Sequence, residues 1–210
     1  MQFLGWYERN ETLYIAMEYI EMGDLRKHIS KPLPEKTVQL ITNQLLEGLK
    51  VMHEKGIAHR DLKPENIFVV SRSPIRVKLG DFGISKRIRA QDLTTYRTQF
   101  CTRSYAAPEV LGVDPNSETS VYTKAVDIWS LGCVVYELLV GEKLFGPEGL
   151  IHSYFHGRWS FPKAKLKNLT PPTNDAGISL IESMISLQPD GRPSAIEALD
   201  HIWIADLKSE

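Results

Sequence analysis

The run His59-Arg60-Asp61-Leu62-Lys63-Pro64-Glu65-Asn66 constrains this chain more than any other stretch, because it sets a carboxylate base, a cation and a hard oxygen ligand at fixed spacing. That combination implies phosphoryl-transfer chemistry. In the pattern H-R-D-L-x-x-x-N the aspartate takes the proton of an attacking hydroxyl and the asparagine holds Mg2+; here these are Asp61 and Asn66. Lys63, between them, is placed to neutralise the negative charge that spreads over the oxygens of a transferring phosphate. Twenty residues past Asp61, Asp81 opens Asp81-Phe82-Gly83 and offers a second oxygen ligand, and Ala107-Pro108-Glu109 follows. A lone aspartate is usually a turn residue; three motifs in register make the reading specific.

In their order and spacing the three motifs resemble those of the eukaryotic protein kinases, and Lys63 resembles the serine/threonine branch. The general look is similar to the calcium/calmodulin-dependent and checkpoint-kinase-like group. The resemblance covers nearly all 210 residues but starts at about the fourth strand of the family's small lobe. It implies a mainly α (α+β), protein-kinase-like fold: residues 1–20 as the last small-lobe strands and hinge, 21–207 as the helical large lobe. No G-x-G-x-x-G or V-A-I-K is found, and the first lysine is Lys27, so the expectation is a kinase domain truncated at its N-terminal side. The implied activity is transfer of the γ-phosphate of ATP, with Mg2+, to Ser or Thr hydroxyls of protein substrates. The alternative is a non-catalytic kinase-like scaffold whose exposed cleft a partner covers. Retention of Asp61, Lys63, Asn66 and Asp81 favours the enzyme; the missing phosphate loop favours the scaffold.

Further residues take roles by the same resemblance. Met17 is similar to the gatekeeper, Glu18 and Ile20 bound the hinge that meets adenine, Asp24 resembles a ribose contact and Phe68 the floor of the adenine pocket. Arg60 resembles the arginine that captures a phosphate on the segment 81–109, with Thr98 as the acceptor and Lys86 as a second cation. Thr94, Thr95 and Tyr96 compete with Thr98. Thr102 resembles the threonine that bridges base and lysine, although Cys101 and Arg103-Ser104 around it depart from the usual pattern. Asp127 resembles the helix aspartate that anchors the catalytic loop, Glu109 and Arg192 a buried ion pair, and His59 and Phe82 members of a hydrophobic spine. Asp24 and Glu65, set toward the peptide side, imply substrates with basic residues upstream of the acceptor.

Composition and patterning fit one soluble domain. With 42% hydrophobic and 24% charged residues and a formal charge of -1, the chain can bury a sizeable core and offers no basic tract for nucleic acid or an anionic membrane. Two cysteines imply a reducing, intracellular setting, nucleus and cytoplasm being equally open. Segments 3–6 and 13–19 read as a hairpin, marginal by itself. Asp24 is placed to cap a short helix, and Pro34 opens a longer one whose stripe is Val38, Ile41, Leu45, Leu49 and Met52, with Gly56 as its stop. Residues 124–140 are apolar on every face, the mark of a buried helix. His152 and His156, four apart without a third ligand, read as surface residues.

Overall fold

The computed structural model describes residues 1–81, 86–87, 103–113, 124–147 and 149–208, with residues 86, 87 and 208 described by their backbone alone. Phe82, Thr94, Thr95, Tyr96, Thr98, Cys101 and Thr102 lie outside the described residues, as does the Lys86 side chain.

The chain opens with an antiparallel hairpin, β1 (Phe3–Arg9) and β2 (Thr12–Met17). Its turn is Asn10-Glu11, both with positive φ (49° and 59°), the two-residue geometry whose twist matches that of paired strands. The ladder therefore runs further than the apolar pattern implies: Glu8 and Arg9 pair with Leu13 and Thr12, and the rings of the facing Tyr7 and Tyr14 stack at 4.8 Å. The large apolar side chains of this hairpin stay in solvent, Trp6 being 64% exposed.

Asp24 caps a 3-10 turn, Leu25–His28, by accepting from the Lys27 amide. Helix α1 (Glu35–Glu54) follows; Pro34 is its N-cap, one position before the expected first turn. Val38, Ile41, Leu45 and Leu49 are buried as their spacing predicts, joined by Leu46, Thr42 and His53, while Met52 is only partly covered. Short strand β3 (Ile57–Ala58) leads into the catalytic motif, which ends in a 3-10 turn, Pro64–Asn66. Strands β4 (Ile67–Arg72) and β5 (Ile75–Leu79) form a second hairpin, and β6 (Lys86–Arg87) pairs antiparallel with β3. The Gln44 side chain clamps α1 to β5, donating to the Ile75 carbonyl and accepting from the Val77 amide at 3.1 and 3.0 Å.

After α2 (Pro108–Leu111) comes α3 (Ala125–Val140), buried from Val126 to Leu139 as its all-round apolarity predicts. Then come α4 (Leu150–Phe155), α5 (Lys163–Lys167), α6 (Asp175–Met184), α7 (Ala195–Asp200) and α8 (Ile202–Ala205); α5 and α6 pack on α3, and α7 and α8 on α1. Gly132 lets α3 and α6 approach: a Cβ there would stand 2.9 Å from Met184 Cβ, too close for any side chain. Ser194 and Glu197 form a reciprocal capping box at the start of α7. One contiguous core joins α1, β4, β5 and the helices around α3. Leu46 is fully buried within it. Leu46→Ala is expected to destabilise the chain by about 2–5 kcal/mol, through lost burial plus the cavity left behind, as read by urea denaturation.

Candidate active site

The run 59–66 lies between β3 and β4, and a single carboxylate holds the backbone of its first two residues. Asp127, in the first turn of α3 and fully buried, accepts from the His59 amide through Oδ2 and from the Arg60 amide through Oδ1, each at 2.8 Å. His53, on the last turn of α1, donates from Nε2 to Asp127 Oδ2 at 2.8 Å. These bonds keep Arg60 at φ 72°, a left-handed conformation disfavoured for a side-chain-bearing residue by roughly 1–2 kcal/mol. The anchoring role expected of Asp127 is thus what its geometry provides.

His59 turns inward, fully buried. Its Nε2 donates to the Gly80 carbonyl at 3.0 Å, while Nδ1 lies 3.4 Å from the Asp61 amide that points to it, which sets the ring's tautomer. The Gly80 amide donates to the Asn66 carbonyl at 2.9 Å. Gly80 therefore ties Asp81, the next residue, to both ends of the loop. Asp81 is exposed and has φ 57°.

Three of the expected site residues converge. Lys63 Nζ lies 2.7 Å from Asp61 Oδ2, and Asn66 Nδ2 donates to that same oxygen at 2.9 Å and to the Asp61 carbonyl at 2.8 Å. Both side chains act on Oδ2, and among the described residues neither of these bonds uses Oδ1. Because the Asn66 amide nitrogen is committed to Asp61, its oxygen faces away from it. That oxygen and the Asp81 carboxylate are hard donors of the kind Mg2+ takes while keeping water and phosphate in its shell. Among the described residues no group of three or more His, Cys, Asp or Glu gathers around a metal position, and His152 and His156 form none.

Of the residues expected on the nucleotide side, Met17 ends β2 and Phe68 lies in β4. Asp24 forms an isolated β-bridge with Phe68, which sets the two side by side. Gly80 lies so near the Phe68 ring that a Cβ there would come within 2.6 Å of it. The Glu18 amide bonds the Gln2 carbonyl at 2.9 Å and the Ile20 carbonyl takes the Gly23 amide at 3.0 Å, leaving the Glu18 carbonyl and the Ile20 amide as the groups these residues can offer a purine. The Glu18 carboxylate is occupied by Lys78 at 2.7 Å.

Glu109 and Arg192 pair as expected, bidentately at 2.6 and 2.9 Å. Arg192 also donates to the carbonyls of Ser186, Ala125 and Leu187, and its guanidinium lies 5.0 Å over the Trp129 ring. Glu109→Ala would leave this fully buried guanidinium short of its carboxylate. A loss of about 3–5 kcal/mol is expected, measured by chemical denaturation.

Two sets of residues carry no motif. His53 is one; its only signal in the sequence is a polar residue on the buried stripe of α1. The other is a network around Arg26, whose Nε donates to Glu65 Oε1 at 2.8 Å and whose Nη1 donates to Glu137 Oε1 at 2.7 Å. Its Nη2 donates to the Tyr105 hydroxyl, which in turn donates to Glu137 Oε2. Burial opposes charge on Arg26, but its hydrogen bonds to Glu137 and Glu65 outweigh that and hold the guanidinium above its ordinary value. Burial also opposes the Glu65 carboxylate, and the Arg26 hydrogen bond overrides it, holding the acid below its ordinary value. Burial and the Glu137 hydrogen bond push the Tyr105 phenol up. Glu65, expected to face a substrate cation, is engaged within the chain.

A depressed folded-state acid stabilises the fold above its unfolded value and loses that contribution as pH falls through the folded value. The Glu65 contribution is therefore complete at neutral pH, above the ordinary 4.5, and disappears in more acidic solution. Solvent screening at the half-exposed Glu65 keeps it below about 1 kcal/mol. The melting-temperature gap between the parent chain and Glu65→Gln is expected to be open at pH 7 and to narrow progressively as pH falls below 4.5.

A family model described as protein kinase domain matches residues 1–204. The serine/threonine-protein kinase RAD53 of Saccharomyces cerevisiae is 35% identical over 211 residues, covering 95% of this chain and 25% of RAD53. The serine/threonine-protein kinase cds1 of Schizosaccharomyces pombe is 35% identical over 201 residues, covering 94% of this chain and 42% of cds1. This chain thus spans well under half the length of both. The crystal structure of Rad53 1-466 in complex with AMP-PNP superimposes with a TM-score of 0.78 at 32% identity, covering 96% of this chain and 49% of that one.

Proposed function

Because this chain belongs to the protein kinase family, we propose that its cleft transfers the γ-phosphate of Mg-ATP to serine or threonine hydroxyls of protein substrates. The observation that carries this reading is the convergence of Lys63 and Asn66 on one oxygen of Asp61, on a loop whose backbone Asp127 holds. Asp61 Oδ1 then accepts the substrate hydroxyl proton while Oδ2 keeps the carboxylate oriented. Lys63 brings a positive charge to where the transition state spreads its negative charge. Asn66 and Asp81 would hold Mg2+, and Phe68 and Met17 would flank the adenine. When bound, Mg-ATP would supply the phosphoryl group and a metal charge that offsets the negative charge of its phosphates. The AMP-PNP complex of Rad53 and the serine/threonine kinase names of the relatives support the choice of nucleotide and acceptor. A phosphate on Thr98, captured by Arg60 and Lys86, is the regulatory step that accompanies this reading.

One observation favours a second reading, a binding module whose cleft a partner covers. Phe3, Trp6, Leu13 and Ile15 form an open apolar pocket on the first hairpin, each more than half exposed. Exposed side chains of this kind forgo roughly 1.5–3 kcal/mol each relative to full burial, which a covering surface would recover.

The two readings separate in a phosphotransfer assay with Mg-ATP and a Ser/Thr peptide mixture. Asp61→Asn is expected to lower turnover by about 10²–10⁴-fold with ADP affinity unchanged. Equal activity in the parent and Asp61→Asn would overturn the assignment of the base. A chain that neither binds nucleotide nor transfers phosphate would leave the binding module.

A further inference from the structure

Both carboxylates set toward a peptide carry a cation from this chain itself. Asp24 Oδ2 lies 3.3 Å from Nζ of the exposed Lys27. Glu65 is bound by Arg26, and that arrangement is more elaborate. The Arg26 guanidinium bridges an outer acid, Glu65, four residues past the base Asp61, and an inner acid, Glu137, which projects from α3 and is 3% exposed. The buried Tyr105 hydroxyl closes the ring by bonding both Arg26 and Glu137. Two carboxylates and a phenol around one planar fork of N–H donors make up an arginine-binding site, because the fork matches paired carboxylates as no other side chain does. Its occupant comes from residue 26.

The charge around this site is close to balanced without any outside cation. Glu65 Oε2 is covered and meets no donor among the described residues, but Lys143 stands 5.6 Å over the Tyr105 ring and its positive charge favours the Glu65 carboxylate. Among the described residues, a cavity of about 440 Å³ is lined by Arg103, His152, Leu111, Phe145, Pro147 and Ile151. A basic peptide residue approaching Glu65 would have to displace a guanidinium that is bonded on three sides.

We propose that Arg26 is the built-in occupant of an arginine subsite beside the catalytic loop, that the chain therefore accepts substrates with no basic residue at that subsite, and that position 26 determines this specificity. The proposal replaces the upstream basic preference expected from Asp24 and Glu65, and it rests on the reading of the cleft as a protein-phosphorylating site.

The test uses the full chain and two readouts. In thermal melts without nucleotide, Arg26→Ala is expected to melt lower than the parent and to be raised by millimolar methylguanidinium beyond the effect of equimolar sodium, while the parent shows no such difference. In a positional-scanning Ser/Thr peptide library, the parent is expected to show no arginine enrichment, and Arg26→Ala to gain roughly tenfold at one upstream position, the order of one charge-assisted hydrogen bond. Arg26→Ala combined with Glu65→Gln is expected to lose that gain. If Arg26→Ala does not fold, Glu65→Gln alone decides: the proposal requires its positional preference to match the parent's. A parent that demands upstream arginine and loses that demand in Glu65→Gln would overturn the role of Arg26 and leave the kinase reading standing. Absence of phosphotransfer to any peptide would overturn the kinase reading, and the methylguanidinium melts would still decide whether the subsite exists. No methylguanidinium effect on folded Arg26→Ala overturns the subsite.

Discussion

Asp127 joins α1 and α3 to the loop that carries the candidate catalytic residues. A fully buried carboxylate is tolerated only when its oxygens are saturated, because water no longer solvates them. Here the donors are the backbone amides of residues 59 and 60 and the ring of His53, so one side chain of α3 positions the catalytic loop and the end of α1 at once. Rigid placement follows from the cost of any alternative: moving the loop would strip a buried charge of its donors. The left-handed backbone at Arg60 and the orientation of Asp61 depend on this arrangement. From Asp61 the order passes outward by hydrogen bonds of about the same length, through Asn66 to Gly80, and along the chain to Asp81.

The same rule recurs wherever charge enters the core. Arg192 reaches Glu109 across the chain and fills its remaining donors with three backbone carbonyls, which joins α2, α3 and the segment before α7. Glu137 is satisfied by Arg26 and Tyr105. Pairs of this kind add little stability relative to an apolar replacement, yet losing one partner is costly, so they act as registers that define which elements meet. In this molecule they surround the site and give it its shape.

Much of the fold was legible in the sequence because its signals are local. The stripe on α1 appears as the pattern of Val38, Ile41, Leu45 and Leu49 predicts, and α3 is buried on the faces its apolar run covers. Asp24 caps the turn it precedes. The departures have physical reasons. The first hairpin extends to Arg9 and Thr12 because backbone pairing and a positive-φ turn continue the ladder past the apolar residues. Pro34 caps α1 from outside instead of opening its first turn. Glu65 is engaged by Arg26 across a separation that no window of neighbours reveals; Glu137, a charge inside an apolar helix, was the one hint that a distant partner existed.

The order of residues by itself determined the elements and the spacing of the catalytic loop, since hydrogen bonds such as the one from Asn66 to Asp61 span five positions and need only the local turn. It also determined the family, because those spacings are what the chemistry requires. The tertiary structure alone decided which charges are already engaged. Arg26 meets Glu137 across 111 positions and His53 meets Asp127 across 74, and electrostatic attraction depends on separation in space and on the dielectric around it, neither of which is a property of position along the chain.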